Sequence, residues 1–271
     1  MKISLAMLLA GCLGAGCVHS PDSNPGTAGT SFRSGMTVRD LVVQQPVAKR
    51  VLEQLGIDYC CGGQKPLDQA LQEKGITASE LNGRIALAIS KAQARGESVQ
   101  DWSKASNPDL ITHIVDTHHA YLKTELPRLR VLFAKVMRAH GELHGTTLEP
   151  MQKEFLALAA ELDTHLQKEE TVVFPRIVAL DAAARGKQPK PAGTAIDAPL
   201  RELLQEHDRA GAILASLNKR SSHYTPPADA CPTFIELFAS LHRLEEDLHE
   251  HVHLENNLLY PQVASLETGK S

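Results

Sequence analysis

From about residue 107 the apolar positions recur at i, i+3, i+4 and i+7 in four long stretches, the spacing of one buried helix face. Ile111, Val115, Leu122, Leu129 and Phe133 mark the first, which opens at Asn107-Pro108 as an N-cap with proline following and has a kink site at Pro127. The second runs from about Pro150 through Met151, Phe155, Leu158 and Leu162. The third starts at Pro199 and carries Leu200, Leu203, Leu204, Gly211 and Leu214 on one face. The fourth starts near Pro232, with Phe234, Leu237, Phe238, Leu241, Leu248, Val252 and Leu259. A Gly, Pro and Lys-rich stretch, residues 185–199, divides them into two antiparallel hairpins. Two hairpins make an up-down four-helix bundle over residues 105–265, and the fold class expected is all-α.

Upstream, residues 36–98 predict a small helical domain. Val38, Leu41, Val42, Val51 and Leu52 keep a mostly helical period, interrupted or restarted at Pro46. Pro66 opens another helix, and Thr77-Ala-Ser-Glu80 is a capping box that opens a third. Between them lies Asp58-Tyr-Cys-Cys-Gly-Gly63, a polar turn. Residues 1–35 form a separate segment. A short charged start, an apolar run and small residues before Cys12 or Cys17 look like a lipoprotein signal, followed by a Ser, Pro and Gly-rich tether. The competing expectation is a start at Met36.

Composition narrows the function. Net charge is −4, and there is no basic run of the kind that binds nucleic acid. The five cysteines, Cys12, Cys17, Cys60, Cys61 and Cys231, are odd in number and two are adjacent, so they form no secreted disulfide framework. Histidine stands out: there are 13, mostly beyond residue 110.

Four of these histidines carry the chemistry with two glutamates. His165 and Glu169, and again His251 and Glu255, stand at i and i+4 on apolar stripes, so each pair shares a helix face. An aromatic and a proline follow each pair, Phe174-Pro175 and Tyr260-Pro261, and each helix is expected to stop there. His118-His119 lies 46 residues before His165, counted from His119, and His207 lies 44 before His251. Antiparallel packing brings these groups to one end of the bundle. Two carboxylates meeting in a helical core are costly unless a cation joins them. Imidazole and carboxylate without thiolate suit iron or manganese in a carboxylate-bridged dimetal site. Position alone leaves His118 or His119 as the ligand, with His118 nearer the stripe centre. His140 is roughly 31 Å farther along a straight helix and is expected to pack or cap there. His249 and His253 face away by angle and Glu170 turns toward water. His144 and His223 fall in loops. Cys60-Cys61, flanked by glycines and Asp58, are expected to be an exposed pair with redox or metal chemistry.

These motifs resemble those of the bacterial iron-sulfur cluster repair di-iron proteins, which join an Asp-Tyr-Cys-Cys-Gly-Gly domain to a hemerythrin-like bundle. The likeness rests on residues 58–63, on His119 with Leu126-Pro127, and on His165 and Glu169-Glu170 with Phe174-Pro175. It rests also on Glu206-His207-Asp208 and on His251 and Leu254-Glu255-Asn256-Asn257 with Tyr260-Pro261, and it spans about residues 36–264. The resemblance implies two iron ions, carboxylate-bridged and oxo- or hydroxo-bridged, held by His119, His165, Glu169, His207, His251 and Glu255. It implies recovery of clusters damaged by nitric oxide or peroxide through iron delivery, with Cys60 and Cys61 serving the activity. Damaged or apo iron-sulfur proteins are then the partners and nitric oxide or dioxygen small ligands. Nucleic acid is not a partner, a homodimer is allowed, and the location is the cytoplasm. The alternatives are a dioxygen or nitric oxide binding and sensing protein, and a nitric oxide or peroxide reductase.

Overall fold

A computed structural model describes residues 32–98, 100–187 and 196–268, which are helical with no strand among them. The signal-like segment up to residue 31 and most of the linker between the hairpins lie outside the described residues.

Four short helices come first: α1 (Val38–Gln44), α2 (Ala48–Gln54), α3 (Leu67–Lys74) and α4 (Ala78–Ala94). Thr37 with Asp40, and Thr77 with Glu80, close capping boxes on α1 and α4. Leu41, Val42, Leu52, Leu67, Leu81 and Ile85 are among the buried residues of their own small core.

The bundle starts with α5 (Asn107–His113), capped by Ser106 through Asp109 N, not by Asn107 as the sequence suggests. The π-helical turn Ile114–His119 leads into α6 (Ala120–Lys168), helical over 49 residues with Pro127 and Pro150 inside it. A straight helix of that length would run ~73 Å. Yet Phe133 stacks on Phe155 at 5.1 Å, Arg130 meets Asp163 at 2.8 Å and Lys123 meets Glu170 at 2.6 Å. These pairs are centred near Gly145, so the chain reverses there, a few residues before Pro150, and His144 lies at the turn with helical backbone on either side. The remaining helices are α7 (Phe174–Ala184), α8 (Asp197–Arg220), α9 (Pro232–His253) and α10 (Tyr260–Thr268).

The helices do not stop at Pro175 and Pro261. One π-helical segment, Glu169–Val173, precedes α7, and another, Leu254–Leu259, precedes α10. Each rephases the backbone just before the proline, which then takes the second position of the resumed helix, where a missing N–H costs little. The continuation changes where the site sits. One apolar cluster, with Leu122, Phe133, Phe155, Leu162, Leu214 and Leu241, fills the arms of the bundle. A second, with Ile114, Phe174, Ile177, Leu203, Leu259 and Val263, fills the extension beyond the π turns. The six predicted ligands fall between these two clusters, in the interior and not at one end. No helix among the described residues is long and apolar enough to cross a membrane.

Candidate metal centre

His119, at the end of the first π turn, enters beside His165 from the return arm of α6 and Glu169 from the π segment that follows it, His207 from α8, and His251 and Glu255 from α9 and its π turn. All six side chains are brought together and none is more than 3% exposed. Glu169 Oε2 lies 3.3 Å from His119 Nε2 and 3.5 Å from His165 Nε2. Glu255 Oε2 lies 3.1 Å from His207 Nε2, and Glu255 Oε1 lies 3.2 Å from His251 Nε2. The imidazoles also approach across the site, His119 to His251 at 3.2 Å and His165 to His207 at 3.1 Å between Nε2 atoms. The donors form two groups, His119-Glu169-His251-Glu255 and His165-Glu169-His207-Glu255, each within 4.8 Å, that share both carboxylates.

The donor set fits a cation. Glu169 Oε2 and Glu255 Oε2 are buried without a hydrogen bond, because the nearby imidazoles approach with poor hydrogen-bond geometry. A buried acceptor left so is expensive unless a positive charge meets it. Burial pushes Glu255 up, but His251 and His207 outweigh it and hold the carboxyl well below its ordinary range. The group is therefore an acceptor-only anion, the form that binds metal. Burial lowers His207, but Glu255 lifts it to about 9, while burial keeps His251 below its ordinary value.

A second ring of side chains orients these groups. His119 Nδ1–H donates to Glu170 at 2.7 Å, and His165 Nδ1–H to Glu206 at 2.7 Å. His207 Nδ1–H donates to Asn256 Oδ1 at 2.8 Å. Each bond fixes the tautomer that turns Nε2 inward. Lys123 braces Glu170, and Lys168 braces Glu206. The Tyr260 hydroxyl donates to Glu169 Oε1 at 2.7 Å. Glu170 is thus half-buried against His119 and not turned to water. Glu206, Asn256 and Tyr260 enter the sequence reading only as motif positions; for Glu206 and Asn256 the usable signal is adjacency to His207 and Glu255.

His118 is buried too, but its Nδ1 pairs with Asp247 at 2.9 Å and it belongs to neither group of four. Its ring stacks on His251 at 5.5 Å, packing that histidine from behind. His249 and His253, expected in solvent, lie under the N-terminal helices. His249 Nδ1 meets Glu53 at 3.0 Å, and His253 is 2% exposed, edge-on to Tyr59 at 5.6 Å.

The cysteine loop sits against the same site. The Cys60 and Cys61 amides both donate to Asp58 Oδ1 at 3.0 Å. Asn256 Nδ2–H donates to the Cys60 carbonyl at 3.3 Å, and Asn257 Nδ2–H to the Tyr59 carbonyl at 2.8 Å. Cys61 Sγ is 3.5 Å from the His207 carbonyl and 3.8 Å from Cys60 Sγ. Cys60 is buried, contrary to the expected exposed pair, and Cys61 is half-buried. Their mutual hydrogen bond raises Cys60 well above a free thiol and lowers Cys61. An open groove of about 1020 Å³, bordered by both thiols, Asp208, Lys219 and His223, gives access.

Comparison with known proteins supplies the family. The Hemerythrin HHE cation binding domain matches residues 110–263, and the ScdA_N domain of unknown function matches residues 34–88. A probable iron-sulfur cluster repair protein from Haemophilus influenzae is 32% identical over 225 residues, covering 83% of this chain and 94% of the relative. The iron-sulfur cluster repair protein YtfE of Pectobacterium atrosepticum is 30% identical over 227 residues, 82% of this chain and 94% of the relative. The protein of the same name from Yersinia pseudotuberculosis is 32% identical over 222 residues, covering 82% and 93%.

Proposed function

This chain belongs to the hemerythrin HHE cation-binding family and to its iron-sulfur cluster repair proteins, and from that premise we propose that it is a di-iron protein that returns iron to damaged clusters. The observation that carries the reading is the pair of four-donor groups sharing Glu169 and Glu255. His119 and His251 would hold one iron and His165 and His207 the other, with Glu169 and Glu255 common to both groups. No thiolate is in the set, and hard carboxylate with imidazole suits iron rather than a closed structural zinc. Bound there, iron supplies an exchangeable and redox-active metal. The chain's own residues hold the donors in register: Glu170, Glu206 and Asn256 fix the imidazoles, and Tyr260 fixes Glu169.

Residues 36–98 act with the bundle, residues 105–265, through the cysteine loop. Cys61, the more acidic thiol, stands beside His207 at the groove and receives or hands over iron without ligating the resident pair. The partners are apo or damaged iron-sulfur proteins, and the cytoplasm is the location where such thiols stay reduced. A second reading, a dioxygen or nitric oxide binding protein, rests on a cavity of about 10 Å³ beside His165, His207 and His251. That is about the space of a single water, so a diatomic ligand would have to displace a side chain lining it.

Iron content and transfer to an apo-ferredoxin test the proposal. The intact protein should carry two irons and restore the ferredoxin cluster. Glu169→Ala and Glu255→Ala should carry fewer than one. Cys60→Ser with Cys61→Ser should keep both irons and lose transfer. Two irons retained in both glutamate variants would remove the bridges. Intact transfer in the cysteine variant would remove the thiols from the activity and favour the small-molecule reading. Mass spectrometry of the native N-terminus tests location, since a lipidated Cys12 or Cys17 would overturn the cytoplasmic assignment.

A further inference from the structure

At the reversal of α6, far from the di-iron donors, three side chains of metal-binding type converge with a thiol beside them. His140 and His144 are one helical turn apart on α6, so both rings leave the same face. Asp229 comes from the loop between α8 and α9. His144 Nε2 lies 3.1 and 3.0 Å from the two Asp229 oxygens. The His140 and His144 ring centroids are 6.1 Å apart, and both rings rest on Phe234, at 5.2 and 5.6 Å. That apolar floor fixes two histidines as a pair. One donor atom from each of His140, His144 and Asp229 falls within 4.8 Å of the others. Donors 2.0–2.2 Å from a tetrahedral ion stand ~3.3–3.6 Å apart, so the imidazoles and the carboxylate must draw inward by up to about 1.5 Å to close the set. Cys231, the N-cap of α9, follows two residues after Asp229 but offers no donor atom to this group.

We propose that His140, His144 and Asp229 form a second metal site, for a single divalent ion of the zinc class. Two imidazoles and a carboxylate are a three-donor set for a tetrahedral ion whose fourth position is left to solvent, and they serve one ion where the first site's donors serve two. The site is independent of the first: His140 is 21 residues past His119 on the outgoing arm, roughly 31 Å along the helix. Its ion ties the turn of the first hairpin to the loop of the second. In that loop Ser222, His223 and Tyr224 all adopt positive φ, and no other described tie of this kind spans the far end.

Zinc binding to the full chain tests this. With its iron loaded, the protein is titrated with Zn²⁺ against a chromophoric chelator and metals are counted. The expected result is one further zinc per chain, with the iron absorption unchanged. The same zinc should remain in a His165→Ala/His251→Ala chain, in which the first site is crippled. His140→Ala/His144→Ala should weaken it at least 100-fold. Asp229→Asn, on an exposed side chain, should weaken it about tenfold and serves if the double variant fails to fold. With Co²⁺ as the probe, the visible d–d absorption of a four-coordinate ion should appear, and His140→Ala/His144→Ala should abolish it. No zinc beyond the first site, loss of it in the His165→Ala/His251→Ala chain, or undiminished binding in the histidine and aspartate variants would overturn the site.

Discussion

Tyr260 shows how one hydroxyl serves the centre. It is buried, and its only named task is the bond to Glu169 Oε1 at 2.7 Å. Burial, with the neighbouring carboxylates, holds the phenol well above its ordinary range, so it stays a donor. Tyr260→Phe removes the donor while keeping the ring that stacks over His207 at 6.1 Å. A hydrogen bond to a charged group is worth about 1.5–3 kcal/mol, and ~1.4 kcal/mol is a factor of ten. The variant should therefore release iron to a chelator about tenfold faster or more, with unchanged helicity by circular dichroism. Equal release rates would show that the bond does not hold Glu169 for the metal. At this scale the cluster of six candidate donors was legible and its supports were not. His165 with Glu169 and His251 with Glu255 reveal themselves because helical spacing aims both at one point. The bond from His119 to Glu170 joins residues 51 apart in sequence, and no periodicity reports it. His118 illustrates the same limit: its stripe position is better than that of His119, but the π turn re-aims the pair.

The π turns are the elements that sequence pattern hides. Apolar period located the long helices and their inner faces, yet it placed helix ends at Pro175 and Pro261. A π turn is one extra residue in a helix, and its only mark in sequence is a slip of phase. All three turns here carry or adjoin candidate ligands: His119, Glu169 and Glu255. The slip sets the carboxylate toward the site while letting the next residues bury in the second apolar cluster. Deleting Val172, an exposed residue in the middle turn, should restore plain α spacing and rotate Phe174 by about 100°. Phe174 now packs on His119 at 5.6 Å and is buried with Ile177. Losing that seat should cost about 3 kcal/mol or more, the scale of a truncated core phenylalanine. Chemical denaturation and metal content would read it, and the deletion should lower both. A deletion variant with intact stability would mean that the π turn is incidental to the packing. The reversal of α6 near Gly145 was equally hidden, because both arms and the turn share helical composition.

At the scale of the whole molecule, the N-terminal helices are fastened to the bundle by charge and by backbone contact. His249 on α9 pairs with Glu53 on α2, and Glu250 pairs with Lys49. Burial pulls His249 down, but Glu53 holds it above its ordinary value; burial pushes Glu250 up, but Lys49 holds it below. The histidine's contribution is complete below about pH 6.5 and is lost as pH rises through its raised value. The glutamate's is complete above about pH 4.5 and is lost as pH falls through its depressed value. The two docking pairs therefore contribute most from about pH 4.5 to 6.5, while buried His253, held down to about 4, takes stability away as pH falls below about 6.5, so the alkaline decline is the limb that reports His249. Thermal stability should decline as pH rises above about 6.5, and His249→Gln should flatten that decline; an equally steep decline in the variant would assign it elsewhere. None of this docking could be read from sequence, because amphipathic period identifies a helix's buried side without naming what covers its other side. Hence His249 and His253 look solvent-facing until α2 and Tyr59 cover them. The backbone contact is tightest at Gly63. A Cβ there would meet Asn257 Oδ1 at 2.7 Å, Arg39 Cβ at 3.2 Å and the Tyr59 carbonyl at 3.3 Å. Asn257 lies two residues from Glu255 and holds the cysteine loop by the Tyr59 carbonyl, while Arg39 Nε donates to the Asn257 carbonyl at 3.2 Å. Gly63→Ala must push this contact apart, lifting Cys60 and Cys61 off the π turn without touching a ligand. Alkylation of Cys60, buried in the intact loop, should quicken severalfold and iron transfer should fall, while iron content stays at the level of the intact protein. Gly83→Ala, with nothing within 4 Å of its Cβ, is the control and should change none of the three. If Gly63→Ala lost iron as well, the loop would be holding the centre together rather than serving it from beside His207.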